Sequence, residues 1–277
     1  ESAAGRLEQG EALAAQARLA LAGGREERAR ELFAELLETR RESGDRLGSI
    51  DTLVRLGGLL IAAGQLPEAE AALGQALEIS QDLSDVFEER RVMASLGEVS
   101  WRGGEAAAAA EHWQQALVFY RQREDGPREM LLSRNLARAR ATLGDLSAAE
   151  DLSHRQLELA QQLRNPRLEA DASLRLTLLQ LRQGYPSQAR RHLDRSLEMD
   201  RHLDDRSELQ RAIAWMAYEQ GNYQLAVDTQ RGLLKKNDEG LSDYDASFLA
   251  VFMDAREKGR RLPLPHEPGY SRPQAAG

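Results

Sequence analysis

The sequence predicts an all-α protein, a solenoid of stacked helix–turn–helix units. The main observation is an internal repeat with a forty-residue period, in which a glycine recurs at Gly64, Gly104, Gly144 and Gly184. A fixed period of this size is typical of arrays whose units pack on their neighbours. Apolar side chains on both sides of each glycine follow helical spacing, and the alternation typical of strands is missing. Together these patterns favour two helices in each repeat.

The joints between helices are marked by residues suited to turns. The recurring glycine is expected to end the first helix of each repeat in the left-handed conformation. Prolines lie near the expected helix starts, where a missing N–H costs nothing. Polar residues at the second joint are expected to be turn formers or N-caps. The prolines are Pro67, Pro127, Pro166 and Pro186, and the polar residues are Asp45, Asp85, Asp125, Asn165 and Asp205.

Small residues recur inside both helices of a repeat. Seven positions before the turn glycine lie Gly57, Gly97, Ala137, Thr177 and Ala214, and five positions after it lie Ala69 and its equivalents. Small side chains at both points allow the two helices to approach closely. These positions therefore indicate the packing between the helices of a pair.

Residues 3–240 divide into six repeats. Their approximate ranges are 5–44, 45–84, 85–124, 125–164, 165–204 and 205–240. The last turn glycine, Gly221, follows Gly184 by 37 residues instead of forty, which predicts a first helix about one turn shorter.

The segment after the repeats is predicted to contain a cap and a tail. In residues 241–258 an apolar face of Tyr244, Phe248, Phe252 and Ala255 indicates a helix that caps the open end of the array. Residues 259–277 contain four prolines and are expected to be a flexible tail. An alternative interpretation of "LPLPHEP" within it is a peptide ligand in the polyproline conformation.

The repeat resembles the tetratricopeptide repeat. Leu96-Gly97, Gly104, Ala109, Trp113 and Ala116 fall at the spacing of that family, whose unit has 34 residues. The six additional residues and the missing terminal proline depart from its pattern. Forty-residue versions are similar to those of kinesin light chain, LGN-type adaptors and the sensor regions of MalT-like bacterial regulators. The resemblance implies a right-handed α-solenoid whose first helices line a concave groove that binds peptides.

Composition excludes several functions. A net charge of −8 argues against general affinity for nucleic acids, and the absence of cysteine excludes disulfides and thiol catalysis. No apolar run is long enough for a membrane span, so a cytoplasmic protein is expected. No nucleophile or acid–base pair converges in the repeat pattern. We therefore expect no enzymatic activity, no cofactor and no metal.

Basic residues are concentrated at the first-helix positions that the resemblance places in the groove. These positions hold more arginines than the arginine content would place there by chance. They are Arg18, Arg55, Arg91, Arg102, Arg134, Arg138, Arg175, Arg182 and Arg211, against the acidic Glu11, Asp51, Glu98, Asp171, Glu208 and Glu219. Aromatic residues on the same wall are expected to be exposed. The candidate peptide-binding residues are Trp101, Arg102, Arg134, Asn135, Arg138, Arg175, Arg182, Arg211, Trp215 and Tyr218.

The leading hypothesis is a non-enzymatic scaffold that binds a protein or peptide, including an extended acidic segment clamped by arginines. The alternative for the arginines is compositional, since arginine is a good helix former. A second hypothesis is the ligand-sensing region of a larger signalling or transcription regulator, of which a chain opening at Glu1 would be a piece. A third is a structural scaffold that oligomerises through exposed Phe248, Phe252 and Met253. A monomer is expected, with self-association left open.

Overall fold

The computed structural model describes residues 3–199, 201, 206–236 and 243–266, and these contain thirteen α-helices and no strand. The chain forms two compact units, residues 1–144 (unit 1) and 145–277 (unit 2). The boundary falls after Gly144, inside the fourth predicted repeat. The all-α class and the paired helices of the predicted array are confirmed in each unit.

Unit 1 consists of consecutive helices in which each packs on the next. The pairs α1/α2, α3/α4 and α5/α6 correspond to the first three repeats, and α7 packs on α6. The helices are α1 (Ala3–Ala22), α2 (Glu26–Ser43), α3 (Arg46–Ala62), α4 (Leu66–Asp82), α5 (Val86–Arg102), α6 (Ala106–Gln122) and α7 (Gly126–Thr142).

Unit 2 continues the same pattern of antiparallel pairs. Helix α9 packs on α8 and α10, and α12 packs on α11 and α13. The helices are α8 (Leu146–Gln162), α9 (Pro166–Arg182), α10 (Pro186–Glu198), α11 (Ser207–Glu219), α12 (Tyr223–Lys236) and α13 (Asp243–Lys258). Helix α11 has 13 residues where α9 has 17, so the shortened first helix predicted from the 37-residue step is present.

The joints form as the turn residues predict. The six turn glycines, including Gly24 and Gly221, have φ between 69° and 85°, the left-handed region that favours glycine. At the second joint, the Asp45, Asp85 and Asp125 carboxylates each accept a hydrogen bond from the backbone N–H three residues on. The Asn165 side chain does the same, whereas Asp205 lies outside the described residues.

Close approach of the paired helices explains the repeated small residues. A Cβ added to Gly57 would lie 2.9 Å from Leu73 Cγ, and one added to Gly97 would overlap the indole of Trp113. Ala69, the residue five positions after the turn glycine, is fully buried, and so are its equivalents in the later repeats. The prediction that these positions form the packing within each pair is confirmed.

The C-terminal end of unit 2 differs from the sequence prediction in two respects. Phe248 and Phe252 of α13 are buried in the core that α11 and α12 share, so they form no exposed patch for oligomerisation. Within the predicted flexible tail, residues 262–266 are packed, with Leu264 fully buried. Tyr244 and residues 267–277 have no described side chains.

Candidate functional site

The first-helix face is the surface that the resemblance identifies as the groove, and three of its nine arginines are paired with an acidic residue one turn earlier. Because residues four apart are neighbours on a helix surface, an acid at position i and an arginine at i+4 meet. The three pairs of this kind are Asp51–Arg55 at 2.8 Å, Glu98–Arg102 at 2.9 Å and Asp171–Arg175 at 3.0 Å. Part of the positive charge of this face is therefore compensated locally.

Asp51 shows how closely these charges are coupled. Its carboxylate accepts from Arg55 on its own helix and from Arg91 of α5 at 3.3 Å. Burial opposes ionisation of Asp51, but the hydrogen bonds and charges of Arg55 and Arg91 outweigh it and lower the pKa of the carboxyl. Arg91 also pairs with Glu88 at 2.5 Å. Arg55 and Arg91 thus form ion pairs within unit 1.

A different arrangement lies on α5 and α7, where an arginine stacks on a tryptophan. The Arg138 guanidinium lies 5.0 Å from the ring centroid of Trp101, within the range of a cation–π contact. Trp101 is half-buried, Arg102 follows it at the end of α5, and Arg134 and Asn135 lie about one turn before Arg138 on α7. We call these five residues the Trp101–Arg138 patch.

The ring of Trp101 packs against the ring of Trp113 on α6. The two ring centroids are 6.0 Å apart. Trp113 is fully buried and its indole N–H donates to the Ala94 carbonyl at 3.1 Å. It occupies the space that a side chain at Gly97 would fill. Gly97 and Trp113, which the repeat pattern assigns to packing alone, therefore also position the aromatic surface of the patch.

The two candidate arginines of α9 in unit 2 differ from each other. The Arg175 side chain is only 13% exposed and donates to Asp171, whose carboxylate also accepts from Gln156 at 3.1 Å. Arg182 lies exposed at the end of the same helix. Arg175 is thus part of a partly buried polar cluster, and Arg182 alone of the two lies on the surface.

Arg211 of α11 holds the capping helix. Its guanidinium donates two hydrogen bonds, at 2.8 and 2.9 Å, to the carboxylate of Asp245 on α13, which is buried. The apolar face that predicts the capping helix gives no indication of this ion pair. Because bidentate pairing uses the fork of the guanidinium, Arg211 is a structural residue of unit 2.

Trp215 and Tyr218 are buried, with 5% and 0% of their surface exposed, so the prediction of exposed aromatic residues is wrong for both. Trp215 packs on Phe248 and on His266, with centroids 5.2 and 4.9 Å away. The Tyr218 hydroxyl donates to the Leu262 carbonyl and accepts from the Leu262 N–H. The segment that covers them is the one that the prolines indicated to be flexible.

The described residues contain neither a metal site nor a membrane-spanning helix. Among them, no group of three or more His, Asp or Glu side chains is placed to hold a metal ion. None of their helices has the length and apolar character needed to cross a membrane.

Comparison with known proteins supports the repeat assignment. The sequence profile of the tetratricopeptide repeat matches residues 8–82. Residues 8–82 of the chain therefore resemble tetratricopeptide repeats. No curated protein matches the sequence of this chain.

Solved structures with the same fold include a signal transduction ATPase with numerous domains and a tetratricopeptide repeat sensor from Pyrococcus horikoshii. It is 16% identical with a TM-score of 0.70 and is matched over 91% of this chain and 40% of its own. A protein of the kinesin light chain type from Podosopora anserina is 18% identical with a TM-score of 0.59, over 72% of this chain and 97% of its own. A Rap protein complexed with competence and sporulation factor is 15% identical with a TM-score of 0.59, over 88% of this chain and 74% of its own. These similarities show the fold.

Proposed function

We propose that the protein is a non-enzymatic interaction module and that the first-helix face of unit 1 binds an extended segment of a partner protein. The observation that carries the proposal is the Trp101–Arg138 patch. A half-exposed tryptophan next to arginines has the composition of an interface hot spot. Helices held by their neighbours present such a surface in a fixed shape, so the receptor loses little entropy on binding.

The charge of the patch favours a partner segment that carries carboxylates. Its charged residues are Arg102, Arg134 and Arg138, and Arg102 pairs with Glu98 at 2.9 Å. An aspartate or glutamate of the partner would replace Glu98 at Arg102 and accept from the guanidinium of Arg138, which stacking on Trp101 holds in place. The five-residue patch lies within unit 1, so the proposal needs no contribution from unit 2.

The test is a reversal of charge at the centre of the patch. Fluorescently labelled acidic peptides and neutral peptides of the same length would be titrated with the wild type and with Arg138→Glu, and the anisotropy of the label would be measured. Arg28→Glu is the matched control, because Arg28 is an exposed arginine of α2 that pairs with a glutamate three residues on.

We expect acidic peptides to bind Arg138→Glu at least tenfold more weakly than the wild type and Arg28→Glu. Their affinity for the wild type should fall as salt rises, because exposed charges are screened. The proposal of an acidic ligand fails if Arg138→Glu binds every peptide as the wild type does. It also fails if neutral and acidic peptides bind equally at all salt concentrations.

A second candidate function is the ligand-sensing region of a larger regulator. The similarity to a signal transduction ATPase whose repeats form a sensor, of which this chain matches 40%, favours it. The full gene distinguishes the two candidates: an adjoining nucleotide-binding or DNA-binding domain supports the sensor, and an open reading frame limited to the repeats supports the free-standing module.

A further inference from the structure

The segment of residues 261–266 lies across α11 and α13 with the contacts of a bound peptide. Leu264 is its buried anchor, and the flanking residues Leu262, Pro263, Pro265 and His266 are half-buried. The segment contains no helix, and both leucines precede prolines, which disfavours the helical conformation. The packing is therefore made by side chains and by single backbone groups, as in recognition of a peptide.

The backbone of the segment is recognised by one side chain of the helix below it. The Tyr218 hydroxyl donates to the carbonyl of Leu262 at 2.6 Å and accepts from its N–H at 2.7 Å. Burial in this contact raises the pKa of Tyr218 to about 12. One residue thus satisfies both backbone groups of Leu262, which a helix or sheet would otherwise pair.

Both ends of the segment are held by specific contacts. At its start, the Arg261 guanidinium makes two hydrogen bonds of 2.9 Å to the Glu219 carboxylate. At its end, the His266 ring packs between aromatic rings, 4.9 Å from Trp215 and 6.1 Å from Phe248. The surface beneath therefore offers an anion for a basic residue and an aromatic cleft for a ring.

We infer that the surface formed by Trp215, Tyr218, Glu219 and Phe248 is a second peptide-binding site, and that the chain's own residues 261–266 occupy it in cis. The site recognises the order of a basic residue, Leu-Pro, Leu-Pro and an aromatic or imidazole ring. It lies on the first-helix face of the last repeat, and it is independent of the Trp101–Arg138 patch.

The position of the segment explains why it acts as an internal competitor. It follows α13 directly after Gly259, whose φ of 61° turns the chain back towards α11. A ligand attached by so short a connection has a high effective concentration, on the order of millimolar. A partner peptide with the same features reaches the site only when the internal segment is released, so the segment is an autoinhibitory contact for this site.

The experiment uses the full chain and releases the segment by mutation of its anchor. Leu264→Asp places a charge at a fully buried position, which disfavours docking of the segment. The probe is a fluorescently labelled synthetic peptide with the sequence of residues 259–268, and the control peptide carries aspartate at the position of Leu264. Binding would be measured by anisotropy with the wild type and with Leu264→Asp, and helical content by circular dichroism.

We expect the probe to bind Leu264→Asp at least tenfold more tightly than the wild type, and the control peptide to bind neither protein. Leu264→Ala, which weakens the anchor without adding charge, is the second variant should Leu264→Asp lose its helical content. The inference is overturned if no folded Leu264 variant binds the probe, because the segment is then simply part of the core. Equal binding of the probe to the wild type and the variants overturns the autoinhibitory contact.

Discussion

Of three glycines in one repeat, two are required by the structure and one is not. Gly64 adopts a left-handed conformation with φ of 74°, which ends α3. Gly57 lies where Leu73 leaves no room for a side chain. Gly58, the next residue, is exposed in the middle of α3, and a Cβ there would meet nothing within 4 Å. The repeat pattern distinguishes the first two, because both recur, but it does not assign a role to Gly58.

These differences predict opposite effects of the same substitution. Gly64→Ala should lower the free energy of unfolding by about 1 kcal/mol, because an L-residue is strained in the left-handed region. Gly58→Ala should raise it by about 0.5–1 kcal/mol, because alanine is the better residue inside a helix. Urea denaturation followed by circular dichroism measures both. A stabilising Gly64→Ala would contradict the assigned turn.

Residue-scale features that depend on near neighbours could be predicted from the sequence. The turn glycines and the N-caps Asp45, Asp85 and Asp125 follow from local geometry and are confirmed. The charge of the first-helix face could not be obtained by counting arginines. Glu98 and Arg102 illustrate the reason, because a carboxylate one turn before an arginine pairs with it and compensates its charge.

At the scale of elements, α13 is attached to α11 by an ion pair whose carboxylate is buried. The Asp245 carboxylate accepts two hydrogen bonds from Arg211, and one of its oxygens also accepts from Gln230 of α12 at 3.2 Å. Around it, Phe248 and Phe252 fill the apolar core of unit 2. The apolar face supplies the driving force, and the ion pair fixes how the helix docks.

Substitution of one residue of this ion pair should lower the free energy of unfolding more than substitution of both residues. Arg211→Ala should destabilise unit 2 by about 2–3 kcal/mol, because it leaves the Asp245 charge buried without its partner. This expected loss of stability is smaller than that for a fully buried pair, because the Arg211 side chain is 31% exposed. Arg211→Met combined with Asp245→Asn should recover at least half of the loss in thermal denaturation. A double variant no more stable than Arg211→Ala would contradict this role of the pair.

The contact between α11 and residues 261–266 predicts a dependence of stability on alkaline pH. The pKa of Tyr218 is about 12 in the folded protein and about 10 in an unfolded chain. The unfolded state therefore loses its phenolic proton first, and stability falls as the pH rises from about 10 to about 12. Urea denaturation across this range should show a smaller decline for Tyr218→Phe. An identical decline would exclude Tyr218 as its source.

The docking of residues 261–266 is an element-scale feature that the leading interpretation of the tail did not predict, although the alternative interpretation of "LPLPHEP" as a peptide ligand pointed to it. Prolines in residues 259–277 indicated a flexible tail, because proline disfavours helices and strands. What orders Leu262 and Leu264 is a set of contacts with α11 and α13, more than forty residues away in the case of Tyr218 and Leu262. Local composition contains no information on such contacts. The apolar "LPL" within the segment was the available signal.

At the scale of the whole molecule, each of the two units contains a hydrophobic core of its own. Unit 1 has cores around Phe33 and around Leu53 and Leu73, and unit 2 has one around Trp215, Tyr218 and Phe252. In repeat proteins, the free energy of unfolding is close to a sum of local terms, so parts of the chain can unfold in separate transitions. The forty-residue period predicts this local construction. The place where the chain divides, after Gly144, shows no break in the repeat.

The three tryptophans allow local stability to be measured, since Trp101 and Trp113 lie in unit 1 and Trp215 lies in unit 2. In the full chain labelled with 5-fluorotryptophan, each should give its own ¹⁹F resonance. We expect Arg211→Ala to lower the urea midpoint of the Trp215 resonance and to leave those of Trp101 and Trp113 nearly unchanged. Gly97→Ala, which crowds Trp113, should have the converse effect. If either substitution shifts all three midpoints equally, the chain unfolds as one cooperative unit, and stability is not the local sum that the repeat architecture implies.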